Sequence, residues 1–248
     1  MIKLVINLTK IVIAVVVALL FGSCNMNINV GGLKKVNGDG NVVTKTRTVP
    51  SDFSSVVASN GLDVILIQGP NTEIKVEADA NLHDHIKTEV SDGELRVFTD
   101  ANLRDTKAKK VYVQLPKLNS LESSSGASVS SKTIFESNAL DISSSSGSEI
   151  DIKVKAASVS CQSSSGSELK ISGKADRLET KSSSGSNIDA SNLTVANAFA
   201  DSSSGSSIEV NATETLTAEA SSGSSITYEN EPKTLNKKAS SGGSVARD

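Results

Sequence analysis

Hydrophobic and polar residues in the second half of the chain follow a pattern that recurs about every twenty residues. Each copy contains a serine-rich block with one glycine, and successive glycines are 18 to 21 residues apart. A branched aliphatic residue stands three positions after each of them. These glycines are Gly126, Gly147, Gly166, Gly185, Gly205, Gly223 and Gly242.

Positions at odd and even distances from the glycine differ in character. Odd positions are mostly apolar, as Ile150 and Ile152 are after Gly147. The positions two after and four before the glycine are polar in every copy, as Glu149 and Ser143 are here. An alternation with a period of two is typical of β-strands that bury one face.

One copy of twenty residues cannot bury its apolar face alone, so successive copies must stack. A coil of this length suits a parallel β-helix, in which neighbouring coils lie about 4.8 Å apart. The sequence therefore predicts an all-β parallel β-helix (solenoid) with about seven short coils over residues 121–248. In such a stack, like residues lie on like residues, which produces aliphatic columns inside and serine columns at one corner.

The glycine in each block has a structural role in this prediction. The chain must turn a corner once per coil, and glycine adopts backbone angles that other residues avoid. Small serines beside it can hydrogen-bond to the backbone and between coils. A flexible Gly/Ser linker is the alternative, but a linker would not carry phased Ile and Leu on both sides of each block.

Residues 41–120 are rich in β-branched residues but lie outside the short repeat. We expect them to form longer coils that cap the solenoid, with a separate small β-domain as the alternative. The segment from Asp79 to Lys87 is compatible with a short helical turn. Expected strands are centred on Val56-Val57, Leu62–Ile67, Ile74–Val76, Leu95–Phe98 and Val111–Leu115.

The first residues have the character of an export signal. Lys3 and Lys10 precede an apolar run of eleven residues, Ile11 to Phe21, which is too short to span a bilayer. The following Gly-Ser-Cys resembles a bacterial lipobox, with Phe21 where Leu is commonest. The resemblance implies a signal peptide over residues 1–23, acylation of Cys24, and a tether over residues 24–40. An ordinary signal peptide is the alternative.

The net charge and the cysteine content limit the kinds of partner that we expect for this chain. The formal charge is −3, and removal of residues 1–23 takes away two lysines and no acid. A mildly acidic chain without a basic patch is not expected to bind nucleic acid. Lipid chains on Cys24 would dominate membrane attachment. If Cys24 is acylated, Cys161 has no intramolecular partner and is expected to be a small buried residue.

Candidate catalytic groups are few. His83-Asp84-His85 is the one histidine cluster, and we interpret it as a solvated loop or a helix end in the cap rather than a metal site. Outward acids Asp151, Asp189 and Glu209 share one column, but Lys170 interrupts it, so we expect no carboxylate pair in neighbouring coils. Because no cofactor-binding fingerprint is present either, we expect neither a cofactor nor a bound metal, and no enzyme activity.

Several segments in order resemble a known family of envelope lipoproteins of Bacteroidetes-type bacteria, the "putative auto-transporter adhesin, head GIN domain" family. They are Asp52–Val56, Gly61–Gly69, Ala80–Leu82, Gly93–Leu95 and the Ser-Gly-Ser repeats. The resemblance covers roughly residues 50–248 and implies a right-handed parallel β-helix on the cell envelope. Tyr228–Pro232 departs from the family's usual Tyr-x-Gly-x-Pro, with Asn230 in place of glycine.

Together these features indicate a non-catalytic lipoprotein that presents a rigid polar surface to a glycan or an envelope protein. Serines two positions before each glycine would form part of that surface. The alternatives are a polysaccharide-acting enzyme that uses outward acids such as Asp151 and Asp189, and a structural spacer. We expect the protein on the outer membrane, with a mild preference for its periplasmic side.

Overall fold

The computed structural model describes residues 33–49 and 52–248, which contain eighteen β-strands and one short 3-10 turn, Ala80–Leu82. The first ten strands are β1 (Lys35–Asn37), β2 (Val42–Arg47), β3 (Ser55–Ala58), β4 (Asp63–Gln68), β5 (Glu73–Asp79), β6 (Ile86–Ser91), β7 (Glu94–Thr99), β8 (Asn102–Arg104), β9 (Lys109–Leu115) and β10 (Ser120–Ser123). The remaining eight are β11 (Ser128–Ser144), β12 (Glu149–Ser163), β13 (Glu168–Ser182), β14 (Asn187–Ser202), β15 (Ser207–Ala220), β16 (Ser225–Tyr228), β17 (Thr234–Ala239) and β18 (Ser244–Arg247).

Successive repeats pair in parallel and in register. In β12 and β13, Ile150 lies opposite Leu169, and Val159 lies opposite Leu178. The two ends of β11 pair with different strands, β4 and β10, and the two ends of β15 pair with β16 and β17. A long strand therefore bends near its middle, and one coil contributes to two faces that meet at the serine-glycine corner. The prediction of a parallel β-solenoid with about seven coils is therefore confirmed.

Stacked aliphatic columns form the core of the solenoid. Ile150, Leu169, Ile188 and Ile208 follow one another in neighbouring coils, and each is fully buried. Burial of one such side chain contributes about 1.5–3 kcal/mol relative to exposure. The core continues into the N-terminal strands through residues such as Val64 and Val111, without a break between the two regions.

The N-terminal strands extend the two faces of the solenoid, and they do so with antiparallel as well as parallel pairs. On one face β4 and β9 are parallel, and β5 and β2 then add in antiparallel fashion. On the other, β3 and β7 are parallel, and β6 closes the edge as an antiparallel strand. Strand β1 lies within residues 24–40, the range expected to be a tether, and it pairs with β8. Folded structure therefore begins before residue 41.

The last coil carries charged residues at positions that are apolar in other coils. Lys237 stands in the inward column of Ile142 and Cys161, and its Nζ atom lies 4.9 Å from the ring centroid of Tyr228. The same amine donates a hydrogen bond to the Tyr228 hydroxyl oxygen at 3.0 Å. Inward-pointing charge on an edge strand opposes pairing with another edge. Asn230 does not have a positive φ, so the glycine usual in the family is not required there.

Cys161 is expected to be unreactive in the folded protein. Its side chain is buried in the core, and burial, with a smaller contribution from Asp141, raises the pKa of the thiol to about 12. Because the thiolate is the nucleophile, a Cys24→Ser variant should give almost no reaction with a chromogenic disulfide reagent until urea unfolds it. Glutathione is the positive control. Labelling of the native variant at the rate of glutathione would contradict the buried position.

Candidate functional site

The corner of each coil is a two-residue turn in which both central residues have positive φ. Ser165 has φ 55° and Gly166 has φ 70°, and the Ser167 amide donates to the Ser164 carbonyl oxygen at 3.3 Å across the turn. These angles correspond to a type I′ turn, which favours glycine at its second position. All seven glycines singled out from the sequence occupy this position, with φ from 68° to 79°: Gly126, Gly147, Gly166, Gly185, Gly205, Gly223 and Gly242.

Two serines in each of four coils point into the core beside the corner. Ser163 and Ser167 are buried, and their hydroxyl oxygens share a hydrogen bond of 2.9 Å. Ser167 Oγ also donates to the carbonyl oxygen of Ser144 in the preceding coil at 2.8 Å. The sequence suggested hydrogen bonds between stacked serines. The hydroxyl pairs instead lie within one coil, and the link between coils runs from hydroxyl to backbone.

Outward polar columns next to the corner enclose a cleft, here called the polar cleft. Its volume is about 240 Å³, and all of its lining residues are polar. Gln162, Lys181 and Asp201 stand at matching positions in three successive coils. Half-buried Ser164 and Ser183 line its other side. Three of the outward serines expected to form a polar surface, Ser164, Ser183 and Ser203, therefore line one recess.

A second surface, here called the groove, runs along the bends of the long strands. It has a volume of about 950 Å³ and extends over five coils. Its floor contains small residues in register, Ser137, Ala156, Ala175 and Val195. Lys174 and other charged side chains lie on its walls. Sequence reasoning missed the groove, because register shifts such as that between Lys170 and Gly173 disturb the alternation near the bends.

The outward column that contains Asp151, Asp189 and Glu209 includes one neighbouring acid pair, which corrects the expectation that none would occur in it. Asp189 and Glu209 lie opposite each other in adjacent strands. Burial, followed by the nearby charges of Asp189, Asp248 and Glu229, raises the pKa of the Glu209 carboxyl. The Asp189 carboxylate accepts hydrogen bonds from the backbone and hydroxyl of Ser191 at 3.1 and 2.6 Å. Asp151 lies opposite Lys170 and takes no part in the pair.

The two histidine side chains have different surroundings and different hydrogen-bond partners. His83 is buried, which corrects the expectation of a solvated loop, and its Nε2 atom lies 3.1 Å from the Val43 carbonyl oxygen. Burial lowers its pKa, and the charges of Lys45 and Arg47 act in the same direction. His85 instead contacts Asp100, with 2.8 Å between Nδ1 and Oδ1. Within residues 33–49 and 52–248, no group of three or more metal-ligating side chains is placed to hold a metal ion.

A family model matches residues 52–232, and its description is "Putative auto-transporter adhesin, head GIN domain". The chain belongs to this family. The match covers strands β3 to β16, which are most of the N-terminal strands and most of the solenoid. A search of curated proteins finds no match.

Solved structures of two proteins described as putative adhesins and of one described as a putative lipid binding protein share the fold. A putative adhesin from Bacteroides fragilis is 22% identical, with a TM-score of 0.80 over 86% of this chain and 100% of that one. A protein from Parabacteroides distasonis described as a putative lipid binding protein is 20% identical, with a TM-score of 0.73 over 87% and 100%. A putative adhesin from Parabacteroides merdae is 18% identical, with a TM-score of 0.69 over 87% and 99%.

The expected lipid-attachment residue of this adhesin-family chain, Cys24, lies outside the described residues, as do the expected signal peptide and the first part of the expected tether. Among the residues that the structure describes, no helix is both long and apolar enough to cross a membrane.

Proposed function

We propose that this member of the adhesin-like family is a non-catalytic envelope lipoprotein that binds a glycan through the polar cleft. The observation that carries this proposal is the alignment of Gln162, Lys181 and Asp201 in three neighbouring coils. Together they offer an amide, an ammonium and a carboxylate at a regular spacing of about 4.8 Å. A glycan chain repeats its hydroxyl groups in a similar way, so successive coils can contact successive sugars.

The rigidity of the strands around the polar cleft also supports glycan binding there. Gln162, Lys181 and Asp201 stand on strands that pair on both sides. The corner behind them is held by buried serine pairs such as Ser163 and Ser167. Side chains on a rigid scaffold lose less conformational entropy on binding than side chains on a mobile loop. Many weak contacts along the solenoid can then add up to adhesion.

The proposal includes the location of the protein. Acylation of Cys24 would hold the chain on the outer membrane, and the solenoid would carry the cleft away from the lipid surface. Absence of catalysis is also part of the proposal. Asp189 and Glu209, the neighbouring acid pair in the column of Asp151, lie on the face that follows the corner glycine, whereas the cleft residues precede it. In the cleft column, Asp201 lies opposite Glu219, whose carboxylate forms an ion pair with Lys238.

Removal of the three central cleft side chains is expected to abolish most of the binding. We expect a Gln162→Ala, Lys181→Ala, Asp201→Ala triple variant to lose about tenfold or more in affinity on a glycan array. The reason is that the net worth of a hydrogen bond is about 0.5–1.5 kcal/mol, and 1.4 kcal/mol is a factor of ten. Urea unfolding would show whether the variant remains folded.

The groove supplies a matched control. A Ser137→Ala, Lys174→Ala, Asp176→Ala variant also removes one neutral, one basic and one acidic side chain, and these residues line the groove instead. Retained binding in this control supports the cleft. Binding lost only in the control would move the site to the groove. Glycan cleavage products would favour the enzyme alternative, and absence of binding to every glycan would leave the spacer.

A further inference from the structure

An aromatic ring lies on the outer surface of the solenoid at its N-terminal end. Tyr112 is in β9, between β5 and β4, and its side chain is half-buried. Lys75 stands opposite it on one side and Ile65 on the other. Outward positions in the following coils are occupied by Ser130, Asp151 and similar polar residues. The ring is therefore an apolar patch in a largely polar column.

A cavity of about 360 Å³ opens beside this ring. Its lining combines apolar groups, the ring of Tyr112 and the side chain of Ile67, with polar groups from Thr44, Glu77 and Gln114. These residues come from four strands of one sheet, so the sheet fixes their spacing. The Tyr112 hydroxyl lies 3.4 Å from Glu77 Oε2, at the limit of a weak hydrogen bond.

The charges around the cavity are balanced. Lys75 forms a 2.9 Å ion pair with Glu73, and Lys110 lies 3.9 Å from Glu77. Lys132 Nζ lies 5.0 Å from the centroid of the Tyr112 ring. A cationic ligand would meet these lysines, and an anionic ligand would meet the two carboxylates. A neutral ligand with both hydrogen-bond donors and acceptors avoids both repulsions.

We infer that this cavity is a binding site for one neutral sugar ring. The C–H face of a pyranose would pack on Tyr112 and Ile67, displacing the flexible Lys132 side chain. Ring hydroxyls would donate to the Glu77 carboxylate and accept from the Gln114 amide. Sugars combine an apolar face with a polar rim, and this lining offers the same two chemistries. The inference takes its ligand class from the proposed glycan binding, but it depends on different residues.

The contribution of Tyr112 can be measured directly with soluble sugars. The chain has no tryptophan and only two tyrosines, and the other, Tyr228, is buried. Titration with methyl hexosides and short neutral oligosaccharides should therefore change the tyrosine fluorescence through Tyr112. Saturation-transfer NMR should place the sugar C–H face on the protein. We expect Tyr112→Ala to weaken binding of the best of these sugars by about tenfold or more, because the sugar face loses the apolar surface on which it packs. The affinity of this variant is measured by NMR titration, which does not need the Tyr112 fluorescence.

Two further variants separate the contribution of sugar packing on the Tyr112 ring from that of hydrogen bonds to the sugar. Tyr112→Phe keeps the ring and should retain affinity within about threefold, whereas Gln114→Ala should weaken binding without removing the ring. Unchanged affinity in Tyr112→Ala would overturn the inference, as would no binding of any neutral sugar up to its solubility limit. So would an equal loss in Tyr112→Phe and Tyr112→Ala.

The same titrations distinguish this site from the polar cleft. A protein with the triple cleft substitutions should still bind the small sugar at Tyr112, because the cleft and the cavity share no lining residue. Sugar binding lost in the cleft variant and retained in Tyr112→Ala would refute this inference and leave the proposed function standing. Binding of the small sugar that is retained in the cleft variant and lost in Tyr112→Ala would support the Tyr112 site, and the cleft itself is tested by the loss of glycan binding in its own triple variant.

Discussion

Replacement of Gly173 by alanine is expected to destabilise the protein by about 2–5 kcal/mol, the sum of a backbone penalty and an overpacking penalty. Gly173 lies in β13 directly opposite Val154 and has φ 118°. A Cβ atom there would come within 2.0 Å of the Val154 carbonyl oxygen and 3.2 Å of its amide nitrogen. These are backbone atoms held by the sheet, so they cannot move aside as a flexible side chain would.

A corner glycine provides the control for this prediction. Gly166 has φ 70°, and no heavy atom lies within 4 Å of a Cβ atom added to it. Gly166→Ala should therefore lose only the left-handed backbone penalty, about 1–2 kcal/mol. Urea unfolding followed by circular dichroism measures both changes. Equal losses in the two variants would show that the contact with Val154 relaxes and that this account of Gly173 is wrong.

This contrast shows what the repeat pattern could and could not predict. Gly166 was recognisable because a glycine stands at the same point in every copy, and the stacking of copies demands a common corner. Gly173 occurs in one copy only, and its close contact with Val154 arises from the local backbone of two particular coils. A constraint of that kind leaves no periodic signal in the sequence.

Prediction from the sequence was also incomplete for the N-terminal strands and for the surface recesses. Strands such as β4 and β9 were predictable from runs of β-branched residues, but the antiparallel placement of β2 depends on pairing with the distant strand β5. The polar cleft was anticipated as outward serines, since it follows the column pattern. Its depth and the cavity beside Tyr112 were not, because they depend on side chains from strands far apart in sequence.

Loss of the Asp79 carboxylate is the second change expected to have a large effect. Asp79 is fully buried at the end of β5. Its Oδ2 atom accepts from the Gly40 amide at 3.0 Å, and its Oδ1 atom accepts from the amides of Lys107 and Ala108 at 3.1 and 3.0 Å. The Asp79 side chain thus holds two loops, one that contains Gly40 and one that contains Lys107 and Ala108. Gly38 packs against it so closely that a Cβ atom would lie within 2.1 Å of Oδ2.

Asp79→Asn is expected to cost about 3 kcal/mol or more in unfolding free energy. Hydrogen bonds to a charged group are worth about 1.5–3 kcal/mol each, and an amide can present only one oxygen to the three donors. Asp84→Asn is the matched control, because Asp84 is exposed and the change should stay within about 0.5 kcal/mol. Urea unfolding at neutral pH compares the two. A small loss in Asp79→Asn would mean that the loops are held by other contacts.

The pH dependence gives an independent check on Asp79. Burial raises the pKa of its carboxyl, but the hydrogen bonds from Ala108, Gly40 and Lys107 outweigh this effect and hold the pKa below its usual value. A carboxyl with a lowered folded pKa stabilises the protein fully above its unfolded pKa of about 3.9, and this stabilisation is lost as the pH falls through the folded value. The lowered pKa of buried His83 adds a separate loss that begins below about pH 6.5.

The two contributions can be separated because they occur in different pH ranges. Unfolding free energies measured from pH 7 to pH 2 should fall in both the wild type and Asp79→Asn through the histidine range. Below about pH 4 the wild type should fall more steeply, since only it still has the Asp79 carboxylate to protonate. The two proteins should therefore converge in stability at the acid end. Parallel curves over the whole range would show that the Asp79 carboxyl titrates alike in the folded and unfolded chains, contrary to its hydrogen bonds.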